Sequence, residues 1–467
     1  MWDDENINNE LNNDNISAND LSADSFLDAI GDMAWQAKEN MLTGYTQTST
    51  DLTDVELSDY PDAEMPGAVV AKVDELKAII QNIENRPATT QVKLDKKYKI
   101  NYPFELNNSQ LTAATTINGP VLVIAGAGSG KTRVIVHRVA FMLENNIDPQ
   151  EILLLTFTRK AASEMTARVQ QLLQDNRPER IFGGTFHSFS NYVLRKYANI
   201  LNIPPNFTII DSEDSADTID LVKSQMKMLS KEKAFPKKKR LQEIFSSARN
   251  RNIPVKEIIE NEFSGLIEYL KPIELIFQGY EKYKRICNIF DYDDLMDVLR
   301  DALRDNHTFR QYMHRQFKYI MIDEYQDTNV VQKEIVEYLA EGHRNVLVVG
   351  DDAQSIYSFR GANYENILRF PQKYPNCKIV KIEENYRSNQ RILDFTNAII
   401  QNAKIGYKKK LFSNIKKEAL PFVKKFYDQQ TEAEHIVSKI LEYREKGIAL
   451  NQVAVLVRAF WHARYVE

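Results

Sequence analysis

The stretch that decides the fold is Val121-Leu-Val-Ile-Ala-Gly-Ala-Gly-Ser-Gly-Lys-Thr132. Its first four residues are apolar and partly β-branched, which is typical of a strand buried on both faces. A glycine-rich turn follows, and an amphipathic helix then starts with Val134, Ile135 and Val139. Strand, glycine-rich loop and helix together form the context in which backbone N–H groups and a helix N-terminus bind phosphate oxygens. The stretch therefore predicts a nucleotide-binding loop.

Two side chains of this loop extend the prediction. Lys131 supplies a positive charge for the phosphates, and Thr132 supplies a hydroxyl ligand for Mg²⁺. One position departs from the strict pattern, because Ala125 stands where the pattern has glycine. An ordinary strand-to-helix turn is the alternative. It is disfavoured by three glycines in register with the strand, namely Gly126, Gly128 and Gly130.

Charge is distributed unevenly along the 467 residues, a length sufficient for two to four domains. Residues 1–70 carry 16 acidic side chains and one basic side chain, Lys38, for a local net charge of −15. Because the whole chain has a net charge of −5, the remainder carries +10. A basic body behind an acidic arm favours a polyanionic partner, and solvated surface charge is the alternative.

The composition excludes several classes of protein. Cys287 and Cys377 lie far apart and fit no metal or redox spacing, so we expect reduced thiols of a cytoplasmic protein. The apolar runs are all well short of the ~18 residues of a membrane span, and the N-terminus is too acidic for a signal peptide. We expect no membrane partner.

The acidic arm is rich in Asn, Asp and Ser, and residues 1–66 are predicted to be largely disordered. Ser25–Ala37 is predicted to form a short helix and is a candidate docking segment. Val70–Ile83 has the pattern of a second, amphipathic helix. The arm is interpreted as a passive tail, with nucleic-acid mimicry over a basic groove as the alternative.

Buried strand patterns alternate with helices after the loop, at Glu151–Thr158 and Gly183–Phe189. This alternation predicts a parallel sheet whose ligands bind at the carboxyl ends of the strands. A further strand, within Phe317–Thr328, ends in the adjacent carboxylates Asp323 and Glu324. This pair suits hydrolysis of Mg²⁺·ATP: Asp323 holds the metal, and Glu324 orients and deprotonates the attacking water. A strand end capped by acids is the alternative.

Residues 205–285 have a different pattern, which is helical and polar and shows no strand signal. An all-α insertion is therefore predicted between two parts of the α/β unit. It carries the basic runs Lys237–Arg240 and Ser247–Arg251. These runs are candidates for phosphate contact, although a run of charges is usually a solvated face.

A loop within Asn345–Ala362 offers an amide (Gln354), two aromatic rings (Tyr357 and Phe359) and Arg360. Exposed aromatic rings stack on bases of any sequence, and arginine adds phosphate contact or cation–π attraction. Burial of the rings in the core is the alternative. Upstream of the phosphate loop, the amide of Gln110 has the donor and the acceptor that adenine requires, although an isolated glutamine is usually a surface residue.

The last part of the chain suggests that a second α/β unit begins. Predicted elements are strands Lys378–Ile382 and Val453–Val457 and helices 390–402 and Glu432–Glu445, with a lysine-rich loop at Lys408–Lys410.

Taken together, these strings resemble the UvrD/Rep-type superfamily 1 DNA helicases from about Tyr102 to Arg458. Independent blocks occur in the family's order and spacing: LNNSQ, AGAGSGKT, TFTRKAASEM, GTFHSF, FDYDDL, IDEYQDT, GDDAQSIYSFRGA and ENYRSN. The alanine at position 125 is usual in that family. The resemblance implies a RecA-like ATP-binding domain at 91–204 and 286–378 and a helical insertion at 205–285. It further implies the start of a second motor domain at 379–467, behind an acidic arm at 1–90.

The resemblance also implies roles, residue by residue. Catalytic roles fall on Lys131, Asp323, Glu324, Gln354 as γ-phosphate sensor and Arg387 as arginine finger. Nucleotide contacts fall on Gln110, Ala125, Gly126, Ala127, Gly128, Ser129, Gly130, Lys131, Thr132, Arg133 and Tyr386, with Mg²⁺ at Thr132 and Asp323. The single-strand track would include Phe157, Phe186, His187, Tyr357, Phe359 and Arg360.

The activity so implied is ATP-dependent movement on single-stranded DNA and unwinding at duplex junctions, with 3′ to 5′ polarity by resemblance. The family's later motifs have no counterpart after Arg458, so we expect the N-terminal portion of a longer protein or a truncated product. A non-motor module that binds ATP or single-stranded DNA without unwinding is the alternative.

Overall fold

The computed structural model describes residues 23–41, 75, 77, 78, 81, 96–225, 235–358, 361–416 and 420–466. Within these ranges the strands are β1 (Val121–Ala125), β2 (Ile152–Leu155), β3 (Phe182–Gly184), β4 (Thr208–Ile209), β5 (Ile289–Phe290), β6 (Tyr319–Ile322), β7 (Val346–Gly350) and β8 (Lys378–Ile382). Six of them form one parallel sheet in the order β3-β2-β6-β7-β1-β8. The predicted parallel sheet is confirmed.

Helices cover both faces of this sheet, which explains why β1, β2 and β7 are apolar throughout and fully buried. Alternate residues of β1 enter two different cores, with Leu122 and Ile124 in one and Val121 and Val123 in the other. The helices of this part are Tyr102–Glu105, Asn108–Thr115, Lys131–Glu144, Arg159–Leu173, Phe186–Lys196, Ala198–Leu201, Tyr292–Asp305, His307–Gln316, Val330–Ala340, Glu365–Lys373 and Gln390–Ile400. The predicted α/β class is therefore confirmed.

Side-chain caps set where several of these helices begin. Thr185 accepts the backbone N–H of Ser188, Asp291 that of Asp294, and Asn329 that of Gln332. Each of these oxygens satisfies an N–H that has no partner inside its own helix. The strands are followed by short turns because such caps start the next helix at once.

The insertion has a hydrophobic core of its own, separate from the two cores of the sheet. Its helices are Ser212–Ser224, Lys238–Arg251, Val255–Glu262 and Leu270–Cys287. The prediction of an all-α insertion was wrong in one detail, because β4 pairs in parallel with β5 where the chain enters and leaves the insertion. A pair of two-residue strands is too short to produce a recognisable sequence pattern.

A buried ionic network joins the insertion to the helix Tyr292–Asp305. Arg249 contacts Asp294 and Asp297 at 2.7 Å each, and Lys284 contacts Asp291 at 2.7 Å and Asp294 at 2.8 Å. Burial disfavours charge on Lys284, but the surrounding carboxylates outweigh it and raise its pKa. The predicted phosphate contact for the run 247–251 does not hold for Arg249, because its guanidinium is enclosed by carboxylates.

The acidic arm is attached to the insertion through a helix, Ala23–Met41. Phe26, Ile30 and Ala34 are buried in the core of the insertion, and Lys282 donates to the carbonyl of Leu27. The predicted helix at Ser25–Ala37 is confirmed and is longer than expected. The rest of the predicted disordered arm and most of Val70–Ile83 lie outside the described residues.

One strand crosses the predicted boundary at residue 378/379, because β8 pairs with β1 and completes the first sheet. The helix predicted at Glu432–Glu445 is confirmed as Gln429–Glu445. The strand predicted at Val453–Val457 does not form, and Leu456 is 94% exposed. A strand needs a neighbour to satisfy its backbone groups, and residues 420–466 as described contain none.

Short 3₁₀ segments complete the secondary structure, at Pro149–Glu151, Arg177–Arg180, Ser264–Tyr269, Tyr325–Asp327, Asp352–Gln354, Leu450–Gln452 and Phe460–Ala463. Neither Cys287 nor Cys377 is in a disulfide. None of the described helices combines the length and apolar character that crossing a membrane requires.

Replacement of Ile30 tests the attachment of the N-terminal helix. Because this side chain is fully buried, Ile30→Ala should lower the free energy of unfolding by about 2–4 kcal/mol. The exposed neighbour Asp32 is the control, and Asp32→Ala should change stability by less than about 0.5 kcal/mol. Urea denaturation followed by circular dichroism gives both values. Equal effects of the two substitutions would contradict the docking of this helix.

Candidate nucleotide site and nucleic-acid cleft

The loop between β1 and the helix Lys131–Glu144 has a backbone that requires glycine. Gly128 and Gly130 have φ angles of 71° and 91°, a region that strains any residue with a Cβ. Ser129 is buried, and its hydroxyl donates to the carbonyl of Gly126 at 2.7 Å. Ala125 is the last residue of β1 and lies in the hydrophobic core, so its methyl group fits where the strict pattern has glycine.

The segment after β8 lies directly against this loop. The Asn385 Nδ2 donates to the carbonyl of Ala127 at 2.6 Å, and the Tyr386 N–H donates to the carbonyl of Gly128 at 2.9 Å. The Asn385 Oδ1 accepts the N–H groups of Arg387 and Ser388, which holds the segment in a turn. Arg387 is therefore brought next to the loop, and its role as an arginine finger stays a prediction. Asn385 was missed, although it stands in the quoted ENYRSN string.

Gln110 lies behind the loop, with both of its polar groups engaged by the protein. Its Nε2 donates to the carbonyl of Ser129 at 2.9 Å, and its Oε1 accepts the N–H of Asn107 in a capping box. The side chain is almost completely buried. In this arrangement Gln110 supports the loop, and adenine recognition by Gln110 stays a prediction.

Two further side chains near the loop were predicted to flank a base. Tyr386 is half-exposed, and its hydroxyl donates to Glu384 at 2.7 Å and accepts from the Asn107 amide at 2.9 Å. Arg133 is also half-exposed and contacts Glu105 at 3.2 Å. Both keep an exposed surface, and contact of either side chain with a base stays a prediction.

The predicted carboxylate pair follows β6 and reaches the loop. The Lys131 Nζ lies 2.5 Å from the Glu324 Oε2, so the loop lysine and the predicted catalytic acid form an ion pair. Glu324 adopts a left-handed conformation with φ of 49°. Such a conformation costs energy in a residue other than glycine and is found preferentially at functional sites.

Asp323 is buried beside Glu324 and has an unusual protonation equilibrium. Burial, and secondly the charge of Glu324, raise the pKa of Asp323 to about 7. Its Oδ1 is buried and has no hydrogen-bond partner within the described part of the chain. Buried carboxylate oxygens of this kind normally bind a donor or a cation, and Mg²⁺ prefers oxygen ligands. The residues present therefore fit the predicted Mg²⁺.

A series of hydrogen bonds joins the acids to the loop after β7. The Gln326 Nε2 donates to Glu324 at 2.9 Å, and its Oε1 accepts the N–H of Asp351 at 3.0 Å. Asp351 in turn accepts from the Nε2 of Gln354, the predicted γ-phosphate sensor, at 2.6 Å. Sequence reasoning missed Gln326 and Asp351, because only their folded positions show that they connect two motifs.

A cleft of about 300 Å³ opens beside these acids. Its lining residues include Asp323, Glu324, Asp327, Asn250, Phe157, His187 and Tyr357. The rings of Phe157 and Tyr357 are stacked with centroids 4.9 Å apart, although they are 200 residues apart in sequence. Burial lowers the pKa of His187, so this ring tends to be neutral. The cleft thus brings predicted DNA-binding rings next to the predicted catalytic acids.

Not all predicted DNA contacts fit this cleft equally. Phe186 also lines the cleft, but it is only 6% exposed and packs in the core between the sheet and its helices. Its contact with DNA stays a prediction. Phe359 and Arg360 lie outside the described residues.

Gly128→Ala tests the close packing of the loop against the segment 385–387. A Cβ at Gly128 would lie 2.8 Å from both the Arg387 Cβ and the Asn385 Nδ2, so nucleotide affinity should fall at least tenfold. Gly119→Ala is a matched control, because Gly119 has a similar φ of 79° but nothing within 4 Å. Titration with a fluorescent ATP analogue measures both variants. If both variants lost affinity to a similar extent, backbone strain alone would explain the loss, and contact with the segment 385–387 would not be needed.

Comparison with known proteins agrees with this geometry. Residues 106–375 match the family model of the UvrD/REP helicase N-terminal domain, and residues 380–466 match that of the UvrD-like helicase C-terminal domain. The chain is 35% identical over 364 residues to the ATP-dependent DNA helicase Rep of Buchnera aphidicola, covering 78% of this chain and 55% of the relative.

It is also 35% identical over 365 residues to the ATP-dependent DNA helicases PcrA of Staphylococcus aureus and Staphylococcus epidermidis, covering 78% of this chain and 49% of each relative. The chain therefore spans about half the length of these curated relatives. Since the N-terminal model alone matches more than half of the chain, this protein belongs to the UvrD/REP helicase family.

Proposed function

We propose that this chain binds and hydrolyses ATP and couples the hydrolysis to movement along single-stranded DNA, including unwinding at duplex junctions. The observation that carries the proposal is the shared cleft, in which the acids beside the phosphate loop and the stacked rings of Phe157 and Tyr357 line one space. The relatives Rep and PcrA are named as ATP-dependent DNA helicases, which supports it.

Each residue of the phosphate loop has a defined task in this proposal. The N–H groups of residues 126–132 and the start of the helix Lys131–Glu144 bind phosphate oxygens, and Lys131 neutralises part of their charge. Thr132 and Asp323 would hold Mg²⁺, which supplies further charge neutralisation when bound. Since the pKa of Asp323 is about 7, the carboxylate form that a cation requires gains population as pH rises through 7.

Glu324 is proposed to orient the attacking water and accept its proton. In the described conformation this carboxylate is paired with Lys131, so nucleotide binding has to move the ammonium group towards the phosphates. The Gln326 amide stays within reach of Glu324 and preserves its orientation during that exchange. Gln354 is proposed to sense the γ-phosphate, and Arg387 to approach it from the segment that covers the loop.

The base of the nucleotide is proposed to lie near Arg133, Tyr386 and Gln110. Tyr386 and Arg133 offer exposed side chains there, whereas the Gln110 amide is engaged by Asn107 and Ser129. Adenine recognition by Gln110 therefore requires one of these two hydrogen bonds to be replaced.

The DNA strand is proposed to run over Phe157, His187 and Tyr357. Stacking on aromatic rings does not depend on base identity, as translocation requires. Gln326 and Asp351 connect the acids to the loop that carries Tyr357, so a change at the γ-phosphate alters the stacking surface through two hydrogen bonds. The polarity, 3′ to 5′, rests on family resemblance alone.

A second candidate is a module that binds ATP and single-stranded DNA without unwinding. It is favoured by the residues after β8, where the described ranges 383–416 and 420–466 form no second sheet and Phe422, Tyr427 and Leu456 are largely exposed. Unwinding of a tailed duplex separates the candidates, because both predict DNA binding and only the first predicts strand separation.

Nucleotide hydrolysis is the first test. The chain should hydrolyse ATP, and single-stranded DNA should stimulate the rate. Lys131→Ala should remove most activity, and Glu324→Gln should lower kcat by about 10²–10⁴-fold while ATP still binds. Lys160→Ala, which removes an exposed lysine outside the lining of the cleft, is the control and should leave kcat unchanged. Turnover retained in Lys131→Ala would sink the assignment of the loop.

DNA affinity is the second test. Phe157→Ala with Tyr357→Ala should weaken single-strand binding by about 1–3 kcal/mol for each lost stack. Phe104→Ala is the matched control, because this ring is 86% exposed but lies outside the cleft. Fluorescence anisotropy with a labelled oligonucleotide measures the change. Unaltered affinity in the double variant would mean that the strand runs elsewhere.

A further inference from the structure

A buried lysine in the segment that follows β8 contacts the loop after β7. Lys409 reaches Asp351 and Asp352 with its ammonium group, at 2.8 Å for Asp352, and its side chain is only 5% exposed. The two aspartates are buried to a similar degree. Burial disfavours the charge of Lys409, but the two carboxylates outweigh it and raise its pKa. Lys409 is therefore a charged group inside the protein, placed between two acids that would otherwise repel each other.

The backbone around Lys409 is built to hold this contact. The Tyr407 N–H donates to Asp352 at 3.1 Å, and the Tyr407 ring is buried against the first sheet's helices with its hydroxyl near the carbonyl of Ile367. A Cβ at Gly406 would lie 2.5 Å from the Asp352 carboxylate, so the chain approaches that acid closely. The segment 406–409 is thus fastened to the loop after β7 by the Tyr407 N–H and by the ammonium group of Lys409.

Asp351 connects Lys409 to two residues near the predicted nucleotide site. Its side chain accepts from the Nε2 of Gln354 at 2.6 Å. Its backbone N–H donates to Gln326, which in turn holds Glu324. One carboxylate therefore receives the lysine on one oxygen and the proposed γ-phosphate sensor on the other.

We propose that Lys409 is a positioning residue of the ATPase site: it fixes Asp351, and through Asp351 it holds Gln354 where it meets the γ-phosphate. The inference rests on the proposed function, since Gln354 has a task only if ATP is the ligand. Lys409 lies within the match to the C-terminal helicase model, whereas Asp351 lies within the match to the N-terminal model. The lysine thus ties the nucleotide site of the first part to the segment that follows β8.

A purely structural clamp predicts something different. Loss of Lys409 would then lower stability and leave the ratio between ATP and ADP binding unchanged. A positioning residue predicts a selective loss, in which kcat and the preference for a γ-phosphate fall while affinity for ADP is kept. Asp352 separates the two roles, because it binds Lys409, whereas the hydrogen bonds with Gln354 and Gln326 are made by Asp351.

The test compares Lys409→Ala, Lys409→Arg, Asp352→Asn and Lys410→Ala, the last as a control with an exposed lysine next to the clamp. We expect Lys409→Ala to lower kcat at least tenfold with KM within threefold of wild type. It should also lower the preference for ATPγS over ADP at least fivefold. Lys409→Arg keeps the charge and should recover most of kcat. Asp352→Asn should lower Tm but keep kcat within threefold.

Hydrogen–deuterium exchange of the ligand-free chain is the second measurement, and it does not depend on hydrolysis. The N–H groups of Ala353 and Gln354 both donate to Asp351, so peptides covering 351–354 should exchange at least tenfold faster in Lys409→Ala than in Lys410→Ala. Should Lys409→Ala not fold, Lys409→Gln replaces it with the same expectations.

The outcomes separate the inference from the proposed function. Equal exchange at 351–354 in Lys409→Ala and Lys410→Ala overturns the inference, whatever the activity of the wild type. Faster exchange with unaltered kcat and unaltered nucleotide preference also overturns it, because the clamp is then structural only. A wild-type chain that hydrolyses no ATP overturns the proposed function, and exchange then decides whether Lys409 positions the loop.

Discussion

Parallel pairing of β1 with its neighbours is the constraint on which the rest of the structure depends. In a parallel sheet the carboxyl ends of all strands meet at one edge, so whatever follows them is collected there. The phosphate loop follows β1, the acids follow β6, Asp351 follows β7, and the segment with Asn385 follows β8. Ala127 and Asn385, which are 258 positions apart, meet within hydrogen-bond distance because hydrogen bonding aligns these four strands.

Two lysines at this edge are paired with carboxylates inside the protein. Lys131 pairs with Glu324, and Lys409 with Asp351 and Asp352. Removal of one partner from a buried pair leaves an uncompensated charge, which is strongly unfavourable. A ligand that brings its own charge can exchange with such a partner at little cost. Ion pairs of this kind therefore suit a site whose contacts have to change when a nucleotide binds.

The insertion and the N-terminal helix form a separate layer of the molecule. Their shared core contains Phe26, Ile30 and the apolar faces of four helices, and the Arg249–Lys284 network fastens it to the helix Tyr292–Asp305. Asn250 extends from the same insertion into the cleft and contacts Asn329 beside the acids. A displacement of the insertion would therefore also displace this part of the cleft wall.

Local patterns were sufficient to predict most of the first sheet. The apolar runs of β1, β2, β6 and β7 identified strands, because strands buried on both faces must be largely apolar. β8 was also predicted, although it contains two lysines and is only partly buried. The pattern failed at Val453–Val457, where an equally apolar run has no neighbouring strand in the described chain. An apolar run shows that a segment is able to form a buried strand. Whether the strand forms depends on a neighbouring strand, which residues elsewhere in the chain must supply.

By itself, the amino-acid sequence determined the α/β class, the phosphate loop, the acid pair and the family, because these depend on short strings whose chemistry is local. Only the tertiary structure showed that Phe186 is nearly buried at the wall of the cleft, that Gln110 supports the loop, that Asn385 and Gln326 contact the predicted site, and that Lys409 contacts Asp351. An asparagine, a glutamine or a lysine has no distinctive pattern in a sequence. Its role is set by the buried partner that it meets, and that partner is chosen by the packing of distant strands.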